Sequence, residues 1–136
     1  MTFYLGPTSK ERLLTCCDDI QNSVRLYMEW GIMDCTIVEG HRGRAAQDRY
    51  YKLGKSRVRY PEGLHNLEPS RAIDIAPYIN GAISWEKLPC IHLAGGLIAA
   101  ARCLGVNLRW GGNWDSDGEI ITDQTFQDLV HFEVKA

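Results

Sequence analysis

The chain has 136 residues, a length typical of one compact domain with its own hydrophobic core. Hydrophobic residues make up 45% of it and charged residues 24%, as in ordinary globular proteins. A formal net charge of −2 argues against a general nucleic-acid-binding protein, and no apolar run is long enough to span a bilayer. We therefore expect neither a nucleic-acid partner nor membrane insertion, and we expect a monomer.

The N-terminal segment and the cysteines indicate a protein made and kept in the cytosol. Residues 1–12 lack a basic start followed by an apolar run, which argues against a signal peptide. The five cysteines are odd in number, include no CxxC pair and lie mostly within apolar periodic segments. We interpret them as reduced thiols rather than disulfides.

The N-terminal half predicts two helices with one strand between them. Thr8 and Glu11 match a capping box, and apolar residues recur at helical spacing from there to about Trp30. The short β-branched segment 35–39 predicts a strand, and residues 44–53 predict the second helix.

A basic stretch follows the second predicted helix and contains Lys52, Lys55, Arg57 and Arg59. It could form a binding patch or a solvated loop. We favour the solvated loop, because runs of like charge usually lie on the surface without a specific partner.

The C-terminal half predicts three strands and one long helix. Residues 71–78 alternate between two faces, and Asn80 with Gly81 predicts a tight turn after them. A helix over about 84–104, a strand over 106–110, a loop over 111–118 and a strand over 129–134 complete the chain. Because helices and strands mix without βαβ alternation, we predict an α+β fold: a small antiparallel sheet packed with about three helices, in a single catalytic domain over 1–136.

Three residues form a candidate metal site on that sheet. His65 lies in a polar loop before a predicted strand, and Asp74 interrupts the apolar part of the same strand. His131 is a similar exception in the last strand. Two imidazoles and one carboxylate suit a catalytic zinc ion with a fourth position for water. On spacing alone, a hydrogen-bonded core aspartate with two unrelated histidines explains the pattern equally well.

The segment from His65 to Pro77 reads His-Asn-x-x-Pro-Ser-x-Ala-x-Asp-x-x-Pro. It resembles the first zinc motif of the peptidoglycan peptidases related to D-alanyl-D-alanine carboxypeptidases, and within them it is most similar to phage endolysins of the L-alanyl-D-glutamate peptidase type. Asp128 and His131 resemble the second motif, an acidic residue three positions before a histidine. Three further segments resemble the endolysins in the same order, namely 36–42, 76–81 and 108–111.

The resemblance implies a role for each matching residue. His65, Asp74 and His131 would be the ligands of one Zn²⁺ ion. Asp128 would be the general base that takes a proton from the metal-activated water and passes it to the leaving amine. Arg42 would stabilise the oxyanion or hold a substrate carboxylate, and a surface salt bridge is the alternative for it.

Two neighbours of these residues are candidates for supporting roles. Glu133 lies two positions from His131, so both face the same side of a strand, and it could orient that ligand or replace Asp128 as the base. His41 adjoins Arg42 and could border the cleft, although a purely structural role fits it better.

The chain also departs from the family pattern. Gly63 stands two residues before the first ligand, where many relatives carry serine, which leaves any role of that hydroxyl in doubt. Eight residues separate His65 from Asp74, a longer spacer than in many relatives, and a loop can absorb the extra residues.

An acidic loop over 115–119, with Asp115, Asp117 and Glu119, is a candidate for a regulatory cation. It lacks the full ligand pattern of an EF-hand, so a solvated turn is the favoured interpretation.

The resemblance implies a zinc peptidase that cuts the L-alanyl-D-glutamate bond of peptidoglycan stem peptides and lyses the bacterial host. Such endolysins accumulate in the host cytoplasm and reach the cell wall through a separate holin, which agrees with the absence of a signal peptide. Two alternatives remain open: a D-alanyl-D-alanine carboxypeptidase or dipeptidase, and a non-catalytic zinc or peptidoglycan-binding module. The predicted base at Asp128 argues against the binding module, which needs no base.

Overall fold

The computed structural model describes residues 1–135 and has an α+β fold, as predicted. The helices of this part of the chain are α1 (Pro7–Leu14), α2 (Asp18–Trp30), α3 (Arg44–Lys52) and α4 (Lys87–Cys103), with a single 3₁₀ turn at Leu64–Asn66. The strands are β1 (Cys35–Glu39), β2 (Ala72–Ile79), β3 (Ala82–Ile83), β4 (Arg109–Gly111) and β5 (Asp128–Glu133).

The single helix predicted from Thr8 to Trp30 is wrong, because α1 and α2 are separate helices. Between them the backbone pairs with Ser70 instead of continuing its helical hydrogen bonds. The amide of Cys17 donates to the Ser70 carbonyl at 2.8 Å, and the Ser70 amide donates to the carbonyl of Thr15 at 2.8 Å. A long-range contact thus breaks a segment whose local periodicity is helical, and this raises the helix count from about three to four.

The start of α1 also differs from the prediction. The helix begins at Pro7 with Gly6 as its N-cap, and no side chain caps its first turn. Proline suits this position, because its missing N–H would have no helical partner there. The capping box predicted from Thr8 and Glu11 is therefore not used.

The sheet is antiparallel, with the order β1-β2-β5-β4 and β3 paired to the end of β2. Asn80 and Gly81 form the predicted turn between β2 and β3, and both have positive φ, 53° and 77°, as a tight hairpin requires. β4 is shorter than the predicted strand over 106–110 and begins only at Arg109.

One face of the sheet packs against helices, and the opposite face carries the candidate site. α1 packs on β1, and α4 packs on β2 and β5. Ile73 and Ile75 of β2 join the core with Phe132 of β5. Because side chains alternate along a strand, Asp74 projects to the other face of the sheet. No helix within residues 1–135 is long and apolar enough to cross a membrane.

Candidate metal site and active-site cavity

Antiparallel pairing places two of the predicted ligands directly opposite each other. Asp74 on β2 pairs with His131 on β5, and the 3₁₀ turn carries His65 to the same face of the sheet. Asp74 Oδ1 lies 3.2 Å from His65 Nε2 and 3.2 Å from His131 Nδ1, and the two ring nitrogens are 3.3 Å apart. The structure therefore brings the three predicted residues together into one group that could hold a metal ion.

Hydrogen bonds on the far side of each ring decide which nitrogen faces the group. His65 Nδ1 lies 2.7 Å from the Gly40 carbonyl oxygen, and His131 Nε2 lies 2.8 Å from Glu133 Oε1. A carbonyl and a carboxylate can only accept, so both of these nitrogens carry their proton. In the neutral rings, lone pairs of His65 Nε2 and His131 Nδ1 thus point toward the carboxylate of Asp74.

This arrangement fits a small divalent ion. Three tetrahedral ligands at about 2.0–2.1 Å from zinc lie about 3.3 Å from one another, close to the three separations in this group. Three hydrogen-bond acceptors that point at one another have no donor to bind unless a proton or a cation lies between them. The Gly40 carbonyl and Glu133 lie where the outer hydrogen-bond partners of metal-binding histidines commonly lie.

The carboxylate of Asp74 and the imidazole of His131 shift each other's pKa. Burial alone would raise the pKa of Asp74, but the charge of His65 and hydrogen bonds from both imidazoles hold it well below its usual value. Burial alone would lower the pKa of His131, yet hydrogen bonds to Asp74 and Glu133 raise it to about 9. A metal ion bound here displaces that proton, so metal binding releases a proton.

Glu133 is itself fixed by a second basic residue. Burial alone would raise its pKa, but hydrogen bonds from His131 and Arg109 lower it to about 2. Arg109 donates from Nη2 at 2.6 Å and from Nε at 3.1 Å to the same oxygen of Glu133. These contacts agree with the orienting role considered for Glu133 rather than with the role of a base.

Arg42 is buried, with 6% of its surface exposed, so it does not form the surface salt bridge considered as an alternative. Its guanidinium donates to Glu39 at 3.2 Å, to Gln47 at 3.1 Å and to Asp74 at 3.4 Å, and it lies over the Tyr50 ring. These bonds use three of its five N–H groups and leave two for other partners.

Asp128 lies at the start of β5, in the same cavity as the three predicted ligands. Burial and the nearby charge of Asp74 raise its pKa above the usual value for an aspartate. β4 approaches it closely through Gly111, where any side chain would collide with the Asp128 backbone. A carboxylate with a raised pKa beside a metal site is well suited to accept and return a proton.

Comparisons with known proteins show which family the chain resembles and which solved structure has the same fold. Residues 1–135 match the family model of the phage L-alanyl-D-glutamate peptidase. Over 120 residues the chain is 32% identical to the L-alanyl-D-glutamate peptidase of Escherichia phage T5, covering 88% of this chain and 87% of that protein. The chain belongs to the phage L-alanyl-D-glutamate peptidase family. Its fold matches the crystal structure of the Serratia marcescens L-Ala D-Glu endopeptidase ChiX with a TM-score of 0.78 and 24% identity, covering 97% and 90% of the two chains.

In this member of the family His65, Asp74 and His131, the candidate metal-binding group, lie in a cavity of about 850 Å³. Another wall of the cavity consists of the basic loop, which we define as residues 54–58, and of aromatic residues from the β4–β5 connection. Phe126 stacks on Trp114 with ring centroids 6.2 Å apart, and Trp114 lies 5.7 Å from the ring of His131. Trp114 and Phe126, which we call the aromatic wall, thus extend from Arg57 of the basic loop to the predicted ligand His131.

Two other sequence candidates lie away from this group. The His41 side chain contacts the carbonyl of Leu67 and the carboxylate of Glu68, each at 3.0 Å, and it is not among the residues that line the cavity. The acidic loop brings Asp115 and Asp117 near Asp123 rather than near Glu119, and all of these carboxylates are exposed. Neither feature contributes a contact to the predicted ligands.

The departure at Gly63 has a local explanation in this chain. A Cβ at that position would lie 2.8 Å from the amide oxygen of Asn66, and the Gly63 amide donates to that same oxygen at 2.9 Å. Asn66 in turn donates to the Arg42 carbonyl at 2.9 Å and to Gln47 at 3.2 Å. Its side chain therefore fills the space that a serine would need.

Sequence reasoning missed Gln47, which is 1% exposed and joins several parts of the site. It lies in α3, a helix of mostly polar residues, where a glutamine looks like an ordinary surface residue. Only its tertiary contacts, and no local signal, distinguish it from its neighbours.

Proposed function

We propose that this protein is a zinc-dependent endopeptidase that hydrolyses the L-alanyl-D-glutamate bond of peptidoglycan stem peptides, acting as a phage endolysin. The observation that carries the proposal is the convergence of His65, Asp74 and His131 in a cavity that also contains Asp128. Membership in the peptidase family supports the peptide substrate and the bond.

In this proposal His65, Asp74 and His131 hold the zinc ion, with one carboxylate oxygen and two ring nitrogens as donors. When bound, the ion supplies a Lewis acid that polarises a carbonyl and lowers the pKa of water. Glu133 and the Gly40 carbonyl keep the two imidazoles in the orientation that exposes their lone pairs.

Asp128 moves the proton in the proposed reaction. Its carboxylate accepts a proton from the attacking water and donates it to the amine nitrogen of the departing D-glutamyl residue. Arg42 stabilises the negative charge that develops on the carbonyl oxygen, using N–H groups outside its three internal hydrogen bonds.

The test combines metal analysis with cell-wall lysis. Purified protein should contain about one zinc ion per chain. A chelator should abolish the clearing of a peptidoglycan suspension, and added zinc should restore it. Unchanged lysis by metal-free protein would overturn the zinc dependence.

Product analysis on purified muropeptides tests the bond itself. We expect new N-terminal D-glutamyl ends and no free terminal D-alanine. Release of D-alanine would instead support the carboxypeptidase alternative, and binding to peptidoglycan without any cleavage would support the non-catalytic module.

A further inference from the structure

Four arginine and lysine side chains line the cavity, and two of them form ion pairs with carboxylates. Arg42 and Arg109 form the ion pairs described above. The other two, Lys55 and Arg57 of the basic loop, form no ion pair with any carboxylate of residues 1–135. The basic loop therefore contributes two positive charges without an ion-pair partner to the cavity, whose lining also contains the carboxylates of Glu62 and Asp128, again without an ion pair among residues 1–135.

Each of these two unpaired cations lies near an aromatic ring. The Arg57 guanidinium carbon lies 4.5 Å from the centroid of the Phe126 ring, and Lys55 Nζ lies 5.9 Å from the centroid of Tyr50. Tyr50 also connects to the candidate site, because the guanidinium carbon of Arg42 lies 4.1 Å from the centroid of its ring. Phe126 leads there through the aromatic wall. A cation over an aromatic face keeps its N–H groups free for an anionic partner.

Hydrogen bonds of Gln47 also connect the basic loop to residues around the predicted metal ligands. Gln47 donates from Nε2 to the Ser56 hydroxyl at 3.0 Å and to the Val58 carbonyl at 2.6 Å. Its Oε1 accepts from Arg42 at 3.1 Å and from Asn66 at 3.2 Å. One buried amide therefore fixes the loop relative to the residues around the predicted ligands, so the two cations face the cavity from a fixed loop.

The chemistry of the substrate supplies an anion for this wall. A glutamyl residue has two carboxyl groups, and only one of them can continue the peptide, so the other remains a free carboxylate. Arg42 donates three of its N–H groups to internal partners, and the proposed mechanism uses the remaining ones for the carbonyl oxygen of the scissile bond. A substrate carboxylate therefore needs another cation in the cavity.

We propose that Lys55 and Arg57 form the subsite for a free carboxylate of the leaving fragment, on the D-glutamyl side of the scissile bond. This inference rests on the proposed function. Arg57 provides a planar fork that binds a carboxylate with two hydrogen bonds, and Lys55 adds a second charge. The carboxylate belongs either to the D-glutamyl residue or to the residue that follows it, and both present the same chemistry to the loop.

The test measures kcat and KM for three soluble muramyl peptides that contain the L-alanyl-D-glutamyl bond. One has every carboxylate free, the second has the D-glutamyl carboxylate converted to an amide, and the third has that of the following residue converted. Arg57→Gln should raise KM for the free substrate about 10- to 100-fold, the value of a charge-assisted hydrogen bond. Lys55→Gln should raise it less, since lysine lacks the fork. Neither variant should change the zinc content.

The amide substrates identify which carboxylate is bound. For the peptide that lacks the contacted carboxylate, wild type and Arg57→Gln should have nearly equal KM, because the variant then has no ion pair left to lose. Arg57→Lys should recover part of the affinity for the free substrate. Arg59→Gln is the matched control: Arg59 has the same charge and also lies over an aromatic ring, that of Tyr51, but it is not among the cavity-lining residues.

Three results would overturn the inference. The first is the same KM ratio of wild type to Arg57→Gln for all three peptides, and the second is an equal effect of Arg59→Gln, which would indicate a general charge effect. In both cases wild-type cleavage of the free peptide would leave the proposed function intact. The third is a wild-type protein that binds zinc but does not cleave the free peptide, and this result would overturn the proposed function together with the inference.

Discussion

The two walls of the cavity are built in different ways. The metal-side wall stands on β2 and β5, where backbone pairing fixes Asp74 opposite His131. The facing wall consists of the basic loop and the β4–β5 connection, which lie outside the sheet and the helices. On the metal side each candidate ligand has a hydrogen-bond partner within the protein, whereas the facing wall has two cations without a carboxylate partner among residues 1–135.

This difference fits two different roles, catalysis at the metal-side wall and substrate recognition at the facing wall. A reaction centre requires atoms held to within a fraction of an ångström, and a paired sheet with buried hydrogen bonds provides that precision. Substrate groups farther from the bond need complementary charge on a surface that can differ between relatives, and loops provide it. We therefore expect changes on the metal side to affect kcat or metal binding and changes on the facing wall to affect KM.

The largest effect is expected for Asp128→Asn on the metal side. The amide cannot accept the proton, so kcat should fall about 10²- to 10⁴-fold, the usual contribution of a general base. Zinc content and KM should stay close to wild type, because Asp128 is not among the predicted ligands. Steady-state kinetics with metal analysis checks this, and near wild-type kcat would show that another group moves the proton.

Glu133→Gln should weaken metal binding without removing a ligand. The carboxylate that accepts from His131 Nε2 and from Arg109 is replaced by a neutral amide, and loss of such an outer partner typically costs about 10- to 100-fold in metal affinity. Competition with a chromophoric chelator measures the change. Glu62→Gln is the control, since Glu62 also lines the cavity but contacts none of the three predicted ligands. Equal affinities of both variants would contradict the orienting role.

Gln47→Leu tests the link between the two walls. Its loss frees the basic loop and leaves buried polar groups without partners, so the free energy of unfolding should fall by about 1–3 kcal/mol. KM should rise several-fold, because Lys55 and Arg57 lose their fixed position, while bound zinc is retained. Chemical denaturation and steady-state kinetics measure the two quantities.

The matched control for this change is Gln21→Leu. Gln21 also donates to a backbone carbonyl, that of Cys16 at 2.8 Å, but it lies in α2 and does not line the cavity. It should lower stability without raising KM. A KM for Gln47→Leu that matches the control would show that the loop does not depend on this amide.

The smallest effect is expected for His41→Ala, although His41 is next to Arg42 in the sequence. Its ring contacts Leu67 and Glu68 outside the cavity, so zinc content and kcat should not change. The loss of a partly exposed hydrogen bond should lower stability by no more than about 1 kcal/mol. Thermal unfolding and metal analysis check this, and a marked loss of zinc would place His41 among the residues that support the ligands.

Several features could be predicted from local pattern. The α+β class, the strand at Cys35–Glu39 and the turn at Asn80 and Gly81 follow from side-chain alternation and turn chemistry, which act over a few residues. His65, Asp74 and His131 were recognisable because ionisable groups are unusual in apolar segments and because the family motifs match. The structure brings these three together, while their roles as zinc ligands remain a prediction.

Other features depend on contacts between residues far apart in the sequence. The break between α1 and α2 depends on Ser70, and no local signal at Thr15 indicates it. The burial of Arg42 depends on Asp74 and Gln47, which turn an apparent surface cation into part of an internal network.

The basic stretch shows most clearly where local information ends. The same run of lysines and arginines can occur in a loop that faces water and in a loop that lines a cavity. From the sequence alone, the solvated loop is the simpler interpretation. Only the tertiary structure places Phe126 beneath Arg57 and ties the loop to Gln47, because these contacts join segments that have no local relation to one another. The sequence by itself determined the fold class, most of the strands and the candidate ligands, and the packing of distant segments decided the break between α1 and α2 and which charges line the cavity.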